Sequence, residues 1–212
     1  MSVEIDKDKI PNHIAVIMDG NGRWAQKKGA MRIFGHKNAM AAVRETIEGS
    51  AELGVKYITL YAFSTENWSR PQDEINALME LLVNAISDEV KNMMKNNIRL
   101  SMIGDMDSLP QACQSNLRSA METTKENTGL RVVLALSYSG KWDIEQAVKS
   151  IVEKVASKDI SSGEITQDLI SSHLNTKGIP DPELLIRTSG ELRISNFMLW
   201  QMAYTELYFT EV

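Results

Sequence analysis

Apolar residues along the chain follow two periods, and the period changes repeatedly. Short apolar or alternating runs predict six strands, at 13–18, 57–63, 98–102, 130–136, 184–186 and 207–209. Between them, apolar residues at three- and four-residue spacing predict five helices, at 40–53, 71–94, 110–125, 144–155 and 165–174. This alternation favours a single α/β domain with a mostly parallel central sheet and helices on both faces.

The composition agrees with one folded domain. The chain has 212 residues, 43% of them hydrophobic and 24% charged. Residues 1–10 are typical of a solvated N-terminal tail, so we place the domain at residues 11–212. No apolar run approaches the ~18 residues of a membrane-spanning helix, nothing resembles a signal peptide, and Cys113 is the single cysteine. These features favour a soluble, cytoplasmic protein.

The charge pattern points to an anionic ligand. A net charge of -5 gives no overall attraction to nucleic acid, so an anion must be met by locally grouped cations. Ligands of parallel sheets bind beyond the carboxyl ends of strands. Of the nine arginines, four follow predicted strands and a fifth comes shortly after the first strand: Arg23, Arg70, Arg187, Arg193 and Arg32. Because the guanidinium fork matches phosphate oxygens, a polyanionic ligand is expected there.

The loop after the first strand reads Asp19-Gly20-Asn21-Gly22. Its glycines allow backbone amides to surround a phosphate. Asp19 is a hard oxygen ligand, which suits a magnesium ion shared with substrate phosphates. An isolated Asp-Gly pair more often forms a simple turn, but three arginine-bearing strand ends favour the ligand site. We expect Asp19→Ala to nearly abolish turnover and to leave the fold intact.

The histidines and tryptophans allow both structural and functional interpretations. His36 is either a phosphate donor or a satisfied structural histidine, whereas His13 is expected to be structural and His173 to lie at the surface. Trp24 and Trp68 flank the candidate phosphate ligands, where they either pack in the core or wall an apolar substrate. Zinc-ligand spacing, a Walker-type loop and a Gly-x-Ser-x-Gly elbow are all missing from the sequence, which disfavours zinc chemistry, nucleotide hydrolysis and serine hydrolysis.

Four longer stretches are more specific: "HIAVIMDGNGRWA", "FSTENWSRP", "LLIRTSGELRISNF" and "LWQMAYTELYFTEV". In this order they resemble the cis-prenyltransferase family, most closely the bacterial undecaprenyl diphosphate synthases, from about Pro11 to the last residue. The resemblance implies condensation of an allylic diphosphate, usually farnesyl diphosphate, with successive isopentenyl diphosphates. Each addition creates a cis double bond, and the product would be a long-chain polyprenyl diphosphate such as the undecaprenyl lipid carrier of cell-wall synthesis.

The resemblance also implies residue roles. Asp19 and Glu206 would hold magnesium, and Asn67 matches the residue proposed in the family as proton acceptor. A neutral carboxamide has almost no basicity near pH 7, so orienting the substrates while a phosphate oxygen takes the proton is physically easier. The allylic diphosphate would contact Gly20, Asn21, Gly22, Arg23, Arg32, His36 and Arg70. Its pocket would be shaped by Trp24, Ser64, Thr65, Glu66 and Trp68. Isopentenyl diphosphate would contact Arg187, Arg193, Ile194 and Ser195.

Three features depart from the family pattern. Lys141 stands where many relatives have arginine, and so preserves only the charge. Ala39 and Met40 replace a commoner Ala-Gly pair, which we expect to alter helix packing. The sequence ends at Val212, before the C-terminal Arg-x-Gly segment that helps relatives to bind isopentenyl diphosphate, which implies either truncation or impaired activity.

An apolar substrate tunnel follows from the expected placement of the diphosphates. With diphosphates at the carboxyl ends of the strands, a growing apolar tail must run toward the opposite strand ends. The helix after Pro71 is the expected wall, although its apolar stripe also fits ordinary core packing. Leu130 and Ile98 are the candidates for the floor.

Two non-catalytic roles stay possible at this point, and so do a homodimer and contact with a membrane. Some relatives assist an active enzyme without performing chemistry, and a diphosphate-binding module of the same fold would bind without transfer. The family is commonly homodimeric, and the apolar C-terminal stretch fits either an interface or the core. Membrane contact, if it occurs, would be peripheral and would serve product release.

Overall fold

The computed structural model describes residues 5–212, and its centre is a six-stranded sheet. The strands are β1 His13–Ile17, β2 Tyr57–Ser64, β3 Arg99–Ile103, β4 Arg131–Tyr138, β5 Leu184–Arg187 and β6 Glu206–Phe209. They lie in the order β3-β4-β2-β1-β5-β6, and each neighbouring pair is parallel. The predicted α/β architecture is therefore confirmed, with a sheet that is parallel throughout.

Within residues 5–212, six α-helices connect and cover the strands. They are α1 Asn21–Lys27, α2 Arg32–Leu53, α3 Gln72–Lys95, α4 Gln111–Thr123, α5 Gly140–Ala156 and α6 Gln167–His173. Short 3-10 turns occupy Lys7–Lys9, Thr65–Ser69 and Ser162–Glu164. The first of these turns lies inside the predicted tail, and residues 1–4 of that tail lie outside the described residues. As predicted, α3 is the longest helix, with 24 residues.

Helix α2 begins eight residues earlier than the apolar period predicts. The segment 32–39 is rich in polar and small residues, so its periodicity is weak. Packing explains why it is helical, because Gly35 lies against α1. A Cβ added at Gly35 would stand 1.9 Å from the Asn21 carbonyl oxygen, so only glycine allows this approach. The contact fixes α1, and with it the loop after β1, on the start of α2.

The core lies on both faces of the sheet. One cluster joins β2, β3 and β4 to α3 and α4 and includes Leu60, Met79 and Leu117. The other cluster packs Phe197 and Met198 of the segment after β5 against the opposite face. Among the described residues, no helix is both long and apolar enough to cross a bilayer.

His13 and His173 test the structural interpretation of the histidines. His13 is fully buried; one ring nitrogen lies 2.7 Å from the Thr59 hydroxyl and the other 2.6 Å from the Pro180 carbonyl oxygen. Burial lowers its pKa below the ordinary 6.5, against the opposing effects of Pro180 and Glu183. The structural role of His13 is thus confirmed. His173 is half-buried, so it lies only partly at the surface, and its ring lies 2.8 Å from the Leu169 carbonyl oxygen at the end of α6.

Candidate active site

The carboxyl ends of β1 and β5 bring Asp19 and Arg187 together. The register pairs Ile17 with Arg187, so the residues after β1 lie beside the end of β5. Arg187 is only 3% exposed, and its Nη2 donates to Asp19 Oδ2 over 2.8 Å. Its Nη1 donates to the Ser195 hydroxyl over 2.7 Å and to the Arg193 carbonyl oxygen. Arg187 therefore ties the first loop to the 188–198 segment.

The Asp19 carboxylate is held in its ionised form. Its Oδ1 accepts from the Gly20 amide over 2.7 Å, and Arg23 lies 3.1 Å from Oδ2. Burial raises the pKa of Asp19, but the Arg187 and Gly20 hydrogen bonds and the charge of Arg23 outweigh it and leave the pKa below its ordinary value. A charged oxygen ligand thus stands at the strand end at neutral pH.

Glu191 joins arginines that the sequence assigns to different substrates. Arg23 and Arg193 both donate to its carboxylate, and Arg23 also donates to the Ser189 hydroxyl over 2.7 Å. These hydrogen bonds, that of Arg23 first and that of Arg193 second, lower the pKa of Glu191. The two arginines consequently lie at neighbouring positions on one polar surface.

The segment after β5 has an unusual backbone. Ser189, Ser195, Asn196 and Met198 all have positive φ, between 43° and 76°. Gly20 also has positive φ, and a Cβ there would lie 2.7 Å from the Ser189 side chain. Such backbone geometry concentrates at ligand-binding segments, where the surrounding structure must hold it in place.

The end of β2 forms a 3-10 turn that positions Asn67. The Ser64 amide donates to Asn67 Oδ1 over 3.1 Å, as one half of a capping box. Since the oxygen is engaged, the NH2 group of Asn67 is the part available to a ligand. Thr65 donates to Ser139 over 2.8 Å, and the Asn196 side-chain amide donates to Glu66 over 2.8 Å. The turn is thereby fixed to the loops after β4 and β5.

A third group of cations comes from the start of α2 and the end of the β2 turn. Arg32 packs over Gly22, where an added Cβ would lie 2.9 Å from its Nε. Arg70 donates to Glu74 over 2.9 Å. The pKa of His36 is lowered by burial and next by the charge of Arg70, with Arg32 adding to the effect and Glu74 opposing it. His36 is thus a neutral group close to two guanidinium ions.

Most of these polar residues line one end of a cavity of about 710 Å³. Its interior is apolar and is formed by the sheet, α2 and α3. The sheet contributes Leu60, Val132, Leu134 and Leu136, α2 contributes Met40, Val43 and Ile47, and α3 contributes Leu78, Met79, Leu82, Ile86 and Met93. The predicted apolar wall on α3 is present. Leu130 and Ile98, the predicted floor, do not line the cavity but are buried in the core cluster next to it.

Most predicted site residues meet at this cavity. Those that line it are Asp19, Gly20, Asn21, Gly22, Arg23, Arg32, His36, Ser64, Glu66, Asn67, Arg70, Arg187 and Ser195. Those outside its lining are Trp24, Thr65, Trp68, Arg193, Ile194 and Glu206. Trp24 is exposed and stacks on Phe34 with centroids 6.4 Å apart. Trp68 donates from Nε1 to the Ser137 hydroxyl over 2.9 Å and contacts Phe63 edge-on.

Glu206 does not join Asp19, which corrects the predicted metal pair for a single chain. Glu206 begins β6 and pairs with Leu184, at the amino end of the sheet. Asp19 lies two residues beyond Ile17, which is level with Arg187 and Phe209. The two positions differ by about five residues, which at ~3.3 Å per residue separates them by roughly 17 Å along the strands. One ion cannot be bound by both carboxylates of the same chain.

Asp19 can hold magnesium only together with ligands that the chain does not supply. Within residues 5–212, no group of three or more His, Cys, Asp or Glu side chains could hold a metal. Magnesium, however, usually binds proteins through one or two carboxylates and completes its octahedron with water and substrate phosphates. Asp19 at the mouth of an arginine-lined cavity meets that requirement.

Several site residues have little signal in the sequence. Glu191 and Asn196 lie inside the third quoted stretch, but only tertiary contact reveals that Glu191 bridges two arginines and that Asn196 holds Glu66. Ala39 and Met40 line the cavity, so the departure from the family pattern changes the cavity wall as well as helix packing. The Lys141 side chain is exposed, while its backbone amide donates to Asn196 Oδ1 over 3.0 Å.

Comparison with protein families gives a match over most of the chain. Residues 17–212 match the prenyltransferase family model described as "Putative undecaprenyl diphosphate synthase". A relative from Vibrio cholerae is 51% identical over 100% of this chain and 84% of its own length. It is named ditrans,polycis-undecaprenyl-diphosphate synthase ((2E,6E)-farnesyl-diphosphate specific). An isoprenyl transferase from Clostridium tetani is 48% identical over 99% of this chain and 82% of that protein.

Solved structures agree. Lavandulyl diphosphate synthase from Lavandula x intermedia, solved in complex with dimethylallyl diphosphate, superposes with a TM-score of 0.92 at 35% identity. The match covers 95% of this chain and 87% of that one. A "probable undecaprenyl diphosphate synthase" from Campylobacter jejuni gives a TM-score of 0.75 at 33% identity, over 95% and 86% of the two chains. With its parallel sheet, arginine-lined strand ends and apolar cavity, the chain belongs to the cis-prenyltransferase family of undecaprenyl diphosphate synthases and is a prenyltransferase.

Proposed function

We propose that the chain condenses farnesyl diphosphate with successive isopentenyl diphosphates and releases a long-chain cis-polyprenyl diphosphate, most simply the undecaprenyl diphosphate used as a cell-wall lipid carrier. The observation that carries the proposal is the junction of an arginine-rich polar end with one deep apolar cavity. The polar end suits two diphosphates, and the apolar interior suits one growing hydrocarbon tail. The names of the relatives support these substrates.

In this proposal the chain's own residues hold the two diphosphates side by side. Arg23, Arg32 and Arg70, with the backbone of Gly20 to Gly22, bind the allylic diphosphate. Arg187, Arg193 and Ser195 bind isopentenyl diphosphate. The allylic carbon–oxygen bond breaks, the isopentenyl double bond attacks the resulting allylic carbon, and a proton leaves the adduct. Arginine charges fixed before the reaction stabilise the departing diphosphate.

Asn67 positions the substrates and does not act as the base. Its oxygen already accepts the Ser64 amide, which leaves two N–H donors for a phosphate oxygen. A carboxamide cannot take a proton near pH 7, so a diphosphate oxygen of the leaving group is the proposed proton acceptor.

Magnesium is proposed as the cofactor, with Asp19 as its protein ligand. When bound, the ion neutralises diphosphate charge and so assists departure of the leaving group. Arg187 keeps the Asp19 carboxylate ionised and oriented through its 2.8 Å hydrogen bond.

A homodimer is the proposed assembly. Strand β6 is an edge of the sheet, and Leu207 and Tyr208 on it and Tyr204 before it are exposed. Light scattering after size-exclusion chromatography tests this proposal, and a monomer at micromolar concentration would contradict it. Peripheral contact with a bilayer during product release is tested by co-sedimentation with vesicles.

The central test is incubation with farnesyl diphosphate and radiolabelled isopentenyl diphosphate, followed by chain-length analysis. We expect labelled polyprenyl product with magnesium and none after chelation. Tight binding of both diphosphates without any product would instead identify a binding module or a non-catalytic partner subunit.

A further inference from the structure

Helix α2 forms one wall of the cavity and is only partly buried. Although it has 22 residues, only Gly35 and Ser50 are fully buried. Val43 and Ile47 line the cavity and, with Ala51, also pack against the core cluster. Because so much of α2 is left partly exposed, polar contacts with α3 also contribute to the distance between the two helices.

Polar contacts join α2 to α3 beside this wall. Arg44 Nε donates to Glu89 Oε1 over 2.9 Å, and its Nη2 donates to the same oxygen. Asn92 Nδ2 donates to Glu48 over 3.1 Å and to Glu89 Oε2 over 3.3 Å. We name these four residues, Arg44, Glu48, Glu89 and Asn92, the α2–α3 clasp.

Glu89 is the member of the clasp that reaches the cavity. Its side chain is 17% exposed and lines the cavity, whereas that of Arg44 is 53% exposed and faces outward. Ile86 and Met93, which lie on the same helical face three residues before and four after it, are apolar lining residues. Contact with hydrocarbon does not favour a carboxylate, so Glu89 does not help to bind the apolar tail. Its ion pair with Arg44 instead acts on the distance between α2 and α3.

The clasp lies far from the diphosphate end. Helix α3 begins at Gln72 next to the Arg70 side of the site, and Glu89 comes 17 residues later. At 1.5 Å per residue this is roughly 26 Å along the helix. The clasp therefore meets a growing chain only after several additions.

The distance between α2 and α3 sets the width of the cavity, because residues of both helices line it. An undecaprenyl chain contains eleven five-carbon units, so the apolar interior has to take up a long hydrocarbon tail. A chain that outgrows the space between the two helices must separate α2 from α3 or stop growing.

We propose that the Arg44–Glu89 ion pair of the clasp is a determinant of product length, because it limits how far a growing polyprenyl chain can part α2 from α3. This inference rests on the proposed function. It identifies residues on α2 and α3 that control the length of the product. A longer chain has to break the ion pair and move apolar carbon past the Glu89 carboxylate.

Product analysis of three clasp variants tests the proposal. Arg44→Ala and Glu89→Ala are each expected to shift the main product upward by at least one isoprene unit. The farnesyl diphosphate KM of Arg44→Ala should stay within twofold of the parent, because Arg44 does not line the cavity. The charge-swapped double variant Arg44→Glu/Glu89→Arg restores the pair and should return the distribution to that of the parent chain. Since Arg44 is half exposed, its loss should leave the fold intact, which circular dichroism checks.

Lys149→Ala is the matched control, because it removes an exposed ion pair with Glu145 on α5, whose residues do not line the cavity. It should leave product length unaltered. An active Arg44→Ala variant with the parent distribution would overturn the proposal. If the parent chain makes no product, the proposed function fails; the clasp is then judged by binding of undecaprenyl diphosphate, which must be tighter in Arg44→Ala than in the parent, and equal affinity would refute it.

Discussion

The polar end of the cavity and its apolar interior are held by contacts of different kinds. At the polar end, directional hydrogen bonds hold each group in place. The Arg187 guanidinium, for example, donates to Asp19, to Ser195 and to the Arg193 carbonyl oxygen. In the interior, Leu82, Ile86 and Val132 offer only non-directional apolar contact. Moving a charged group by an ångström changes its interactions sharply, whereas apolar carbon tolerates small shifts. The polar end is therefore suited to chemistry, and the interior to deciding how much hydrocarbon fits.

Replacement of Asp19 should have the largest effect on the chemistry of the polar end. We expect Asp19→Asn to lower turnover about 100- to 1000-fold, because it removes the charge that would hold magnesium while its oxygen still accepts from Arg187. Steady-state kinetics at saturating magnesium measure the loss. Turnover within threefold of the parent would show that the polar end does not depend on this carboxylate.

The structure also changes the expectation that Asp19→Ala leaves the fold intact. Alanine would leave the buried Arg187 guanidinium without its carboxylate, and breaking a buried pair costs about 3–5 kcal/mol. Because Arg187 keeps its hydrogen bonds to Ser195 and to the Arg193 carbonyl oxygen, we expect a loss of stability at the lower end of this range. Chemical denaturation should separate the alanine and asparagine variants.

The two diphosphate subsites should separate kinetically. Arg193→Ala should raise the KM for isopentenyl diphosphate, and Arg23→Ala the KM for farnesyl diphosphate. Loss of a hydrogen bond to a charged group costs about 1.5–3 kcal/mol, and both guanidinium groups are partly exposed, so about tenfold is expected. A selective effect of Arg193→Ala on farnesyl diphosphate would reverse the assignment of the subsites.

A change in the interior should alter product length without altering the polar end. Leu130 immediately precedes β4, two residues before the lining residue Val132, and is buried in the core cluster. Leu130→Ala should deepen the cavity and lengthen the products while the KM for farnesyl diphosphate stays constant. Leu117→Ala removes an equally buried side chain that does not line the cavity. Both variants should lose about 2–5 kcal/mol of stability, and longer products from both would show that length follows general loosening.

The smallest expected effect is a pH dependence confined to the polar end. Burial and the charge of Arg70 hold the pKa of His36 below 6.5, so the free enzyme carries a neutral imidazole at pH 7.5. A bound diphosphate favours the imidazolium, so binding takes up a proton and affinity should rise as the pH falls from 7.5 toward 6, by at most about tenfold per pH unit.

His36→Asn supplies the reference for this effect, because titration of the ligand is common to both proteins. The difference between their Kd–pH curves, measured by calorimetry with farnesyl diphosphate, isolates His36. Parallel curves would exclude the imidazole from diphosphate binding. Product length should not follow the pH in either protein.

Much of the site could be predicted because a parallel sheet collects the carboxyl ends of its strands at one edge. The residues after β1, β2 and β5 therefore had to meet, and Asp19, Asn67 and Arg187 do meet at one cavity. The apolar stripe of α3 likewise determined which of its faces turns inward. These features depend on the spacing of apolar residues and on the order of strands and helices along the chain, and both can be read from the sequence.

Other features required the tertiary structure. Glu206 has the residue type of a metal ligand, yet the β5–β6 register places it at the amino end of the sheet. Arg187 and Arg193 look alike in the sequence, but one is buried and the other exposed. The Arg44–Glu89 pair joins residues 45 positions apart that no period links. The sequence by itself determined the six strands, most of the helices, the mostly parallel arrangement of the sheet and the chemistry at the strand ends. Strand order, register, burial and contacts between helices depend on how the elements pack, and only the tertiary structure decided them.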